Sequence, residues 1–337
     1  MGVKKRATIK DVAALAGVSF ATVSRALDDR PEISAETKAR VRAACAELGY
    51  VPNAAAKGLT GRATHTLGLI VPDVSNPYFA ALATAIERTA SENGYRVLLS
   101  NSLQSEEREW QALDSLLARQ IDGVVISALS PEGQARHREL VGNVPCVYLG
   151  VNHGDGCSYV MPDNAAGAYA AARYLLELGH RDLVFLGGRE NSLTRALREQ
   201  GFRRALEERG LSGRVYAAPA DLSGIRQWSY ERGRALFREG PLPDAVFAFS
   251  DMTAMKVLEA AEEQGVRVPE AMSLVGYDNI SMASLPRIHL TTVSQHKFRQ
   301  GRLAVERLLA QIRGERAQTA DVLQPELIVR STCAERK

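Results

Sequence analysis

Long apolar runs are missing from this chain. No stretch approaches the roughly 18 consecutive apolar residues of a membrane span, and the opening MGVKKRATIKD lacks the apolar segment that a secretory leader needs. Cysteine is scarce. Cys45, Cys146, Cys157 and Cys333 form no CxxC and no metal-ligand spacing, so neither a disulfide framework nor a zinc site is expected. The six histidines make no metal pair. No GxGxxG follows an apolar run, and neither GxxxxGK[ST] nor GxSxG is present. These absences argue against nucleotide-dependent enzymes, metalloenzymes and serine hydrolases. They lead us to expect a cytoplasmic protein with no membrane association, no metal and no cofactor.

What is present is ordinary in bulk and uneven in detail. The 337 residues are 45% hydrophobic and 24% charged, enough apolar material for two or three packed domains. The net charge is only +3, but residues 1–62 carry 11 lysines and arginines against six acids. A basic N-terminal module on a mildly acidic body suggests a polyanionic partner for that module.

The module reads as three short helices. In TIKDVAALA, Thr8 and Asp11 have the spacing of a capping box, and Ile9, Val12, Ala13 and Ala16 recur at helical period. Gly17 ends that helix and Ser19 can cap the next, GVSFATVSRAL. There Val23 and Leu27 face the core, while Phe20, Ala21, Ser24 and Arg25 project elsewhere. Ser34 can cap a third helix, which Gly49 and Pro52 end. Helix, tight turn, helix and a supporting third helix is the helix-turn-helix unit, whose second helix enters the DNA major groove. On that reading Phe20 and Ala21 meet thymine methyls, Arg25 bonds a guanine edge or a phosphate, and Thr22 and Ser24 reach the backbone.

From Leu67 short aliphatic runs alternate with longer amphipathic segments. Strands are expected at 67–71, 96–100, 123–127, 146–150, 183–187, 245–250, 272–277, 291–294 and 322–330. Helices are expected at 77–93, 106–119, 132–142, 164–179, 192–210, 228–239, 252–265 and 297–313. Such alternation predicts parallel sheets covered by helices, with too many units for one small sheet. Two α/β lobes, crossing over near MPDN (Met161 to Asn164), would hold a ligand cleft at the carboxyl ends of their strands.

TIKDVAALAGVSFATVSRAL followed by ISAETKARVRAACAELGYVPNAAAKGL resembles the headpiece and hinge of the LacI/GalR family of bacterial transcriptional regulators. LGLIVPDVSNPYFAAL, ELGHRDLVFLGG, REQGFRRAL, FSDMTAMKVL, SLVGYDN and LTTVSQ resemble later landmarks of that family in the right order. The resemblance implies an α/β chain. A three-helix helix-turn-helix headpiece (1–50) and a hinge helix and linker (51–63) precede a two-lobed, periplasmic-binding-protein-like effector domain (64–332). It places lobe 1 at 64–162 plus 294–321 and lobe 2 at 163–293 plus 322–332.

The resemblance also implies partners: double-stranded operator DNA with a pseudo-palindromic site, a second copy of the chain, and a small sugar-like effector. To the DNA-contacting set it adds Thr8 and Ser19, with Asn53, Ala56, Lys57 and Leu59 in the hinge. Leu59 holds the family's minor-groove leucine position, where unstacking a base step is offset by the extra contacts of a bent site. For the effector it implies Arg198 as the ligand-gripping arginine, Asp278 as a hydroxyl acceptor and Trp228 as the lining aromatic. Asp73, Asn76, Phe79 and Ser250 complete the set. Gly150 stands where sugar-binding members commonly carry an aspartate, which removes one expected hydroxyl acceptor. Repression of carbohydrate-utilisation genes relieved by a sugar is the leading expectation. A corepressor-dependent regulator with a purine-like ligand, and an activator, remain open alternatives; a two-lobed transport protein or an enzyme fits less well.

Overall fold

The computed structural model describes residues 7–50, 63–127, 136–137, 139–150, 157–222, 224–315 and 320–336. The chain forms two compact units, Met1–Thr64 and His65–Lys337.

The first unit holds α1 (Ile9–Ala16), α2 (Phe20–Leu27) and α3 (Ala35–Leu48). Helices this short are marginal alone, so their ends and their shared core must hold them. Thr8 and Asp11 close a capping box on α1; Gly17, at φ +63°, turns the chain in the left-handed region that glycine tolerates best. Ser19 and Ser34 accept from the third amide beyond them and so start α2 and α3. Val12, Ala13, Ala16, Val23, Ala26, Val41 and Ala44 form the buried core, with Ile9, Leu27 and Leu48 against it.

The second unit contains two six-stranded sheets. In chain order its elements are β1 (Thr66–Val71), α4 (Pro77–Glu92), β2 (Arg96–Asn101), α5 (Glu106–Leu117), β3 (Gly123–Ile126), β4 (Cys146–Leu149), β5 (Ser158–Pro162), α6 (Asn164–Glu177), β6 (Leu183–Arg189), α7 (Leu193–Glu207), β7 (Arg214–Ala218), α8 (Ile225–Arg238), β8 (Ala245–Ala248), α9 (Asp251–Glu263), β9 (Ser273–Tyr277), β10 (Thr291–Ser294), α10 (Lys297–Ile312), β11 (Ala320–Leu323) and β12 (Glu326–Ile328). The first sheet runs β11-β5-β4-β3-β1-β2 and the second β12-β10-β9-β8-β6-β7. Every pairing is parallel except β10 with β12. Central strands such as β1, β6 and β8 are buried almost throughout, as strands covered by helices on both faces must be. Where α6 meets α7, Gly201 leaves no room for a side chain, since a Cβ there would lie 2.1 Å from the Ala165 carbonyl oxygen.

Several sequence expectations need correction. β5 and β7 were not expected. The single strand expected over 322–330 is two short strands: β11 completes the first sheet and β12 the second, so the chain returns between them. The strand expected to reach 250 ends at Ala248, because Ser250 caps α9. Helix α8 starts at Ile225 rather than 228. The expected helix over 132–142 lies partly, and the hinge residues Asn53, Ala56, Lys57 and Leu59 wholly, outside the described residues.

Candidate functional site

Two sites are built by these folds, one in each unit. In the first, α2 buries Val23 and Ala26 and turns its other face outward. Phe20 is 60% exposed, beside Arg25 on the outward face. Arg25 is exposed and makes no ion pair with the described residues, while Ala21, Thr22 and Ser24 are half-buried beside it. The Thr8 side chain is engaged with Asp11, and Ser19 Oγ lies 2.9 Å from Thr22 Oγ1. Thr8, Ser19, Phe20, Ala21, Thr22, Ser24 and Arg25 are thus held on two helix starts and one exposed helical face.

The second site is a cleft of about 250 Å³ in the two-sheet unit. Its walls come from chain just beyond the carboxyl ends of strands in both sheets. Pro72 and Asp73 follow β1, Ser127 follows β3, and Gly150 follows β4. From the second sheet, Ser250 lies beyond β8, Asp278 follows β9 and Gln295 follows β10. This is where parallel α/β sheets bind ligands, because the strand ends and the following helix starts leave polar groups facing one crevice.

Arg198, on α7, is 3% exposed. Its Nε donates to Asn164 Oδ1 at 3.0 Å, its Nη1 donates to the Phe249 carbonyl at 2.5 Å, and Nη1 stands 3.9 Å from Asp278 Oδ1. The guanidinium also lies 3.6 Å over the Tyr277 ring. A buried cation needs such partners, since unpaired it would cost several kcal/mol. Asp278, 4% exposed, accepts from Gln295 Nε2 at 2.5 Å. Its backbone sits at φ +121°, a conformation that costs about 1–3 kcal/mol for a residue with a Cβ. The Asp278 N–H, donating to the Val293 carbonyl at 2.8 Å, helps to hold it there. Burial raises the Asp278 pKa, and Arg198, Gln295 and Lys297 oppose that rise. Behind it Asp251 is fully buried. It accepts from Ile280 N–H at 2.8 Å and from the Thr292 hydroxyl at 2.5 Å. Burial, and then the neighbouring Asp278 charge, push its pKa up.

The remaining expected residues divide. Phe79 lines the cleft and meets Tyr78 edge-on at 5.1 Å. Asn76 lines it while its Oδ1 accepts from Tyr78 N–H. Ser250 lines it while accepting from Thr253 N–H. Asp73 also lines it, but it is already bound: Arg226 Nη2 reaches across from α8 to Asp73 Oδ2 at 2.9 Å and to Ser75 Oγ at 2.7 Å. Trp228 is not in the lining and packs partly buried against the core. The helical period accounts for this: at 100° per residue along α8, Ile225, Arg226 and Ser229 face the cleft and Trp228 turns away from it. Gly150, at φ +94°, has open space where a Cβ would stand, and its carbonyl accepts from Asn164 Nδ2 at 3.3 Å. The left-handed backbone, rather than crowding, disfavours a side chain here.

Sequence reasoning missed Asn164, Arg189, Arg226 and Gln295. Only the PDN turn before α6 gave any local signal, for Asn164. The others reach the cleft through tertiary placement. Among the described residues no cluster of three histidine, cysteine, aspartate or glutamate side chains could hold a metal ion, and no helix is long and apolar enough to cross a membrane.

A helix-turn-helix unit joined to a two-lobed unit with a polar cleft defines a ligand-binding DNA regulator. The family model described as bacterial regulatory proteins, lacI family, matches residues 8–53, and the periplasmic binding protein-like domain matches residues 172–333. The transcriptional repressor PurR of Serratia proteamaculans is 34% identical over 98% of this chain and 97% of its own. Among solved structures, the lac repressor dimer bound to operator and the anti-inducer ONPF superposes with a TM-score of 0.85 at 27% identity, covering 98% of this chain and 100% of that one. The transcriptional regulator CelR in complex with cellobiose superposes at 0.70 with 30% identity, covering 97% and 100%. The chain belongs to the LacI family. It is a DNA-binding transcriptional repressor of that family, not an enzyme.

Proposed function

We propose that the chain acts in the cytoplasm as a dimer. Residues 1–50 of each copy read half of a pseudo-palindromic operator, residues 51–63 connect, and residues 64–332 sense a small polyhydroxylated, sugar-like ligand whose binding releases the operator. One observation carries the ligand assignment: Arg198, Asp278 and Asn164 stand buried together at the strand ends, offering fixed donors and acceptors to a cleft with an aromatic side at Phe79. Hydroxyl groups suit such a constellation, and a sugar's C–H face suits the ring. The likeness to the cellobiose-bound regulator supports this reading. On the DNA side, Phe20, Ala21 and Arg25 are the base-reading residues, with Thr8, Ser19, Thr22 and Ser24 on the backbone; Asn53, Ala56, Lys57 and Leu59 form the minor-groove hinge.

A second reading is favoured by the edge-on Tyr78–Phe79 pair, which offers rings to a planar base. In it a purine-like ligand acts as corepressor and tightens operator binding. Fluorescence anisotropy on an operator duplex selected from a random pool separates the two. Each ligand that raises the melting temperature is added in turn. Release by a sugar supports the first reading; tightening by hypoxanthine or guanine supports the second. Asp278→Asn should weaken the active ligand by about 1.5–3 kcal/mol, roughly 10- to 100-fold, as removal of a charged acceptor predicts. Unchanged ligand affinity would remove Asp278 from the site.

A further inference from the structure

The arginines around the cleft differ in one respect. Arg195 pairs with Glu199, Arg226 with Asp73, and Arg198 stands beside Asp278. Arg189, at the end of β6, has no carboxylate within ion-pair distance among the described residues. Its guanidinium donates only to backbone carbonyls, that of Gln104 across the cleft at 3.3 Å and that of Leu222 at 2.9 Å. Its Nε is shielded from solvent and meets no acceptor among the described residues. Half-burial lowers its pKa, the signature of a cation that has lost water without gaining a counter-charge. The lining holds three arginines (Arg189, Arg198 and Arg226) and three acids (Asp73, Glu106 and Asp278), and Glu106 makes no ion pair with Arg189. The cleft is therefore formally balanced, and its excess of positive charge is local.

Resting on the reading of this cleft as the effector site, we propose that the effector carries an oxyanion, a carboxylate or a phosphate ester, that docks on Arg189. Arg198 and Asp278 then hold the hydroxyl-bearing part of the same ligand. A guanidinium with one N–H still uncommitted on each Nη suits an oxyanion better than a neutral hydroxyl, because charge-assisted bonds are roughly twice as strong. The backbone carbonyls that hold Arg189 from both sides of the cleft fix its position before the ligand arrives.

Calorimetric titration of the full chain with matched probes tests this: D-glucose, D-glucuronate and D-glucose 6-phosphate; D-galactose and D-galacturonate; D-ribose and D-ribose 5-phosphate. In at least one set the anionic member should bind about tenfold or more tightly than its neutral parent. A preference for the uronate identifies a carboxylate ligand, and a preference for the phosphate a phosphate ester. Arg189→Gln should abolish that preference, and Arg189→Lys should retain part of it. Should Arg189→Gln fail to fold, the wild-type preference alone decides. Neutral sugars that bind as well as or better than their anions would overturn the inference and leave the sugar-sensing cleft standing. An unchanged preference in Arg189→Gln would overturn the role of Arg189. Silence from every probe would overturn the sugar-like reading and this inference with it.

Discussion

At the residue scale the cleft concentrates its cost in two carboxylates. Asp251 and Asp278 are both buried, and burial raises both pKa values, Asp251 further through the charge of Asp278. In the unfolded chain each titrates near pH 4. Over the window above that, the folded protein holds more protons than the unfolded chain, so stability falls as pH rises until the raised groups ionise. Asp251→Asn should flatten that fall. Urea midpoints measured at a series of pH values from about 4 upward check it, by comparison of slopes rather than absolute stabilities. Parallel slopes for the variant and the parent would show that Asp251 ionises as it does in water. Arg198 and Asp278 were legible in the sequence because REQGF and GYDN are local motifs. Arg226 and Arg189 were not. Their roles depend on Asp73 and Gln104, more than 80 residues distant, and no local pattern encodes that meeting.

At the element scale most helices and strands followed from period and caps. Thr8 with Asp11, Ser19 and Ser34 mark helix starts by the atoms they place on the first free amides. β5 and β7 are five residues each, and their YVM and VYAA runs were passed over although they are apolar; β7 is also mostly half-buried. β11 and β12 are four and three residues long and were read as one strand, although Pro325 between them marks the break. The start of α8 was misplaced because Gly224 precedes it without any side-chain cap; Trp228 was expected in the cleft from the family resemblance, and its position on α8 turns it away. For α2 the exposed face makes a direct prediction. Arg25→Ala should lower affinity for the selected operator by about 1–3 kcal/mol while affinity for random duplex falls far less, measured by anisotropy at fixed salt. An equal loss on both DNAs would make Arg25 a phosphate contact only. No loss would remove it from the interface.

At the scale of the whole molecule the proposed function requires that the chain couple two sites that share no residue. Two-fold symmetry of a dimer requires a pseudo-palindromic operator. A ligand that changes operator affinity must itself bind more or less tightly when the operator is bound, by the same factor. The cleft is already bridged by Arg226 to Asp73 and by Arg189 to Gln104. These contacts give a ligand something to displace or reinforce as it sets one wall against the other. The operator-binding isotherm measured with and without a saturating cleft ligand is the decisive test of this coupling. The ligand is the one that gives the largest melting-temperature rise among the sugars, sugar acids, sugar phosphates and purines. Operator affinity should change by about 5- to 150-fold, and the change should be lost when Asp278 is replaced by Asn. Superimposable isotherms at full occupancy of the cleft would contradict it.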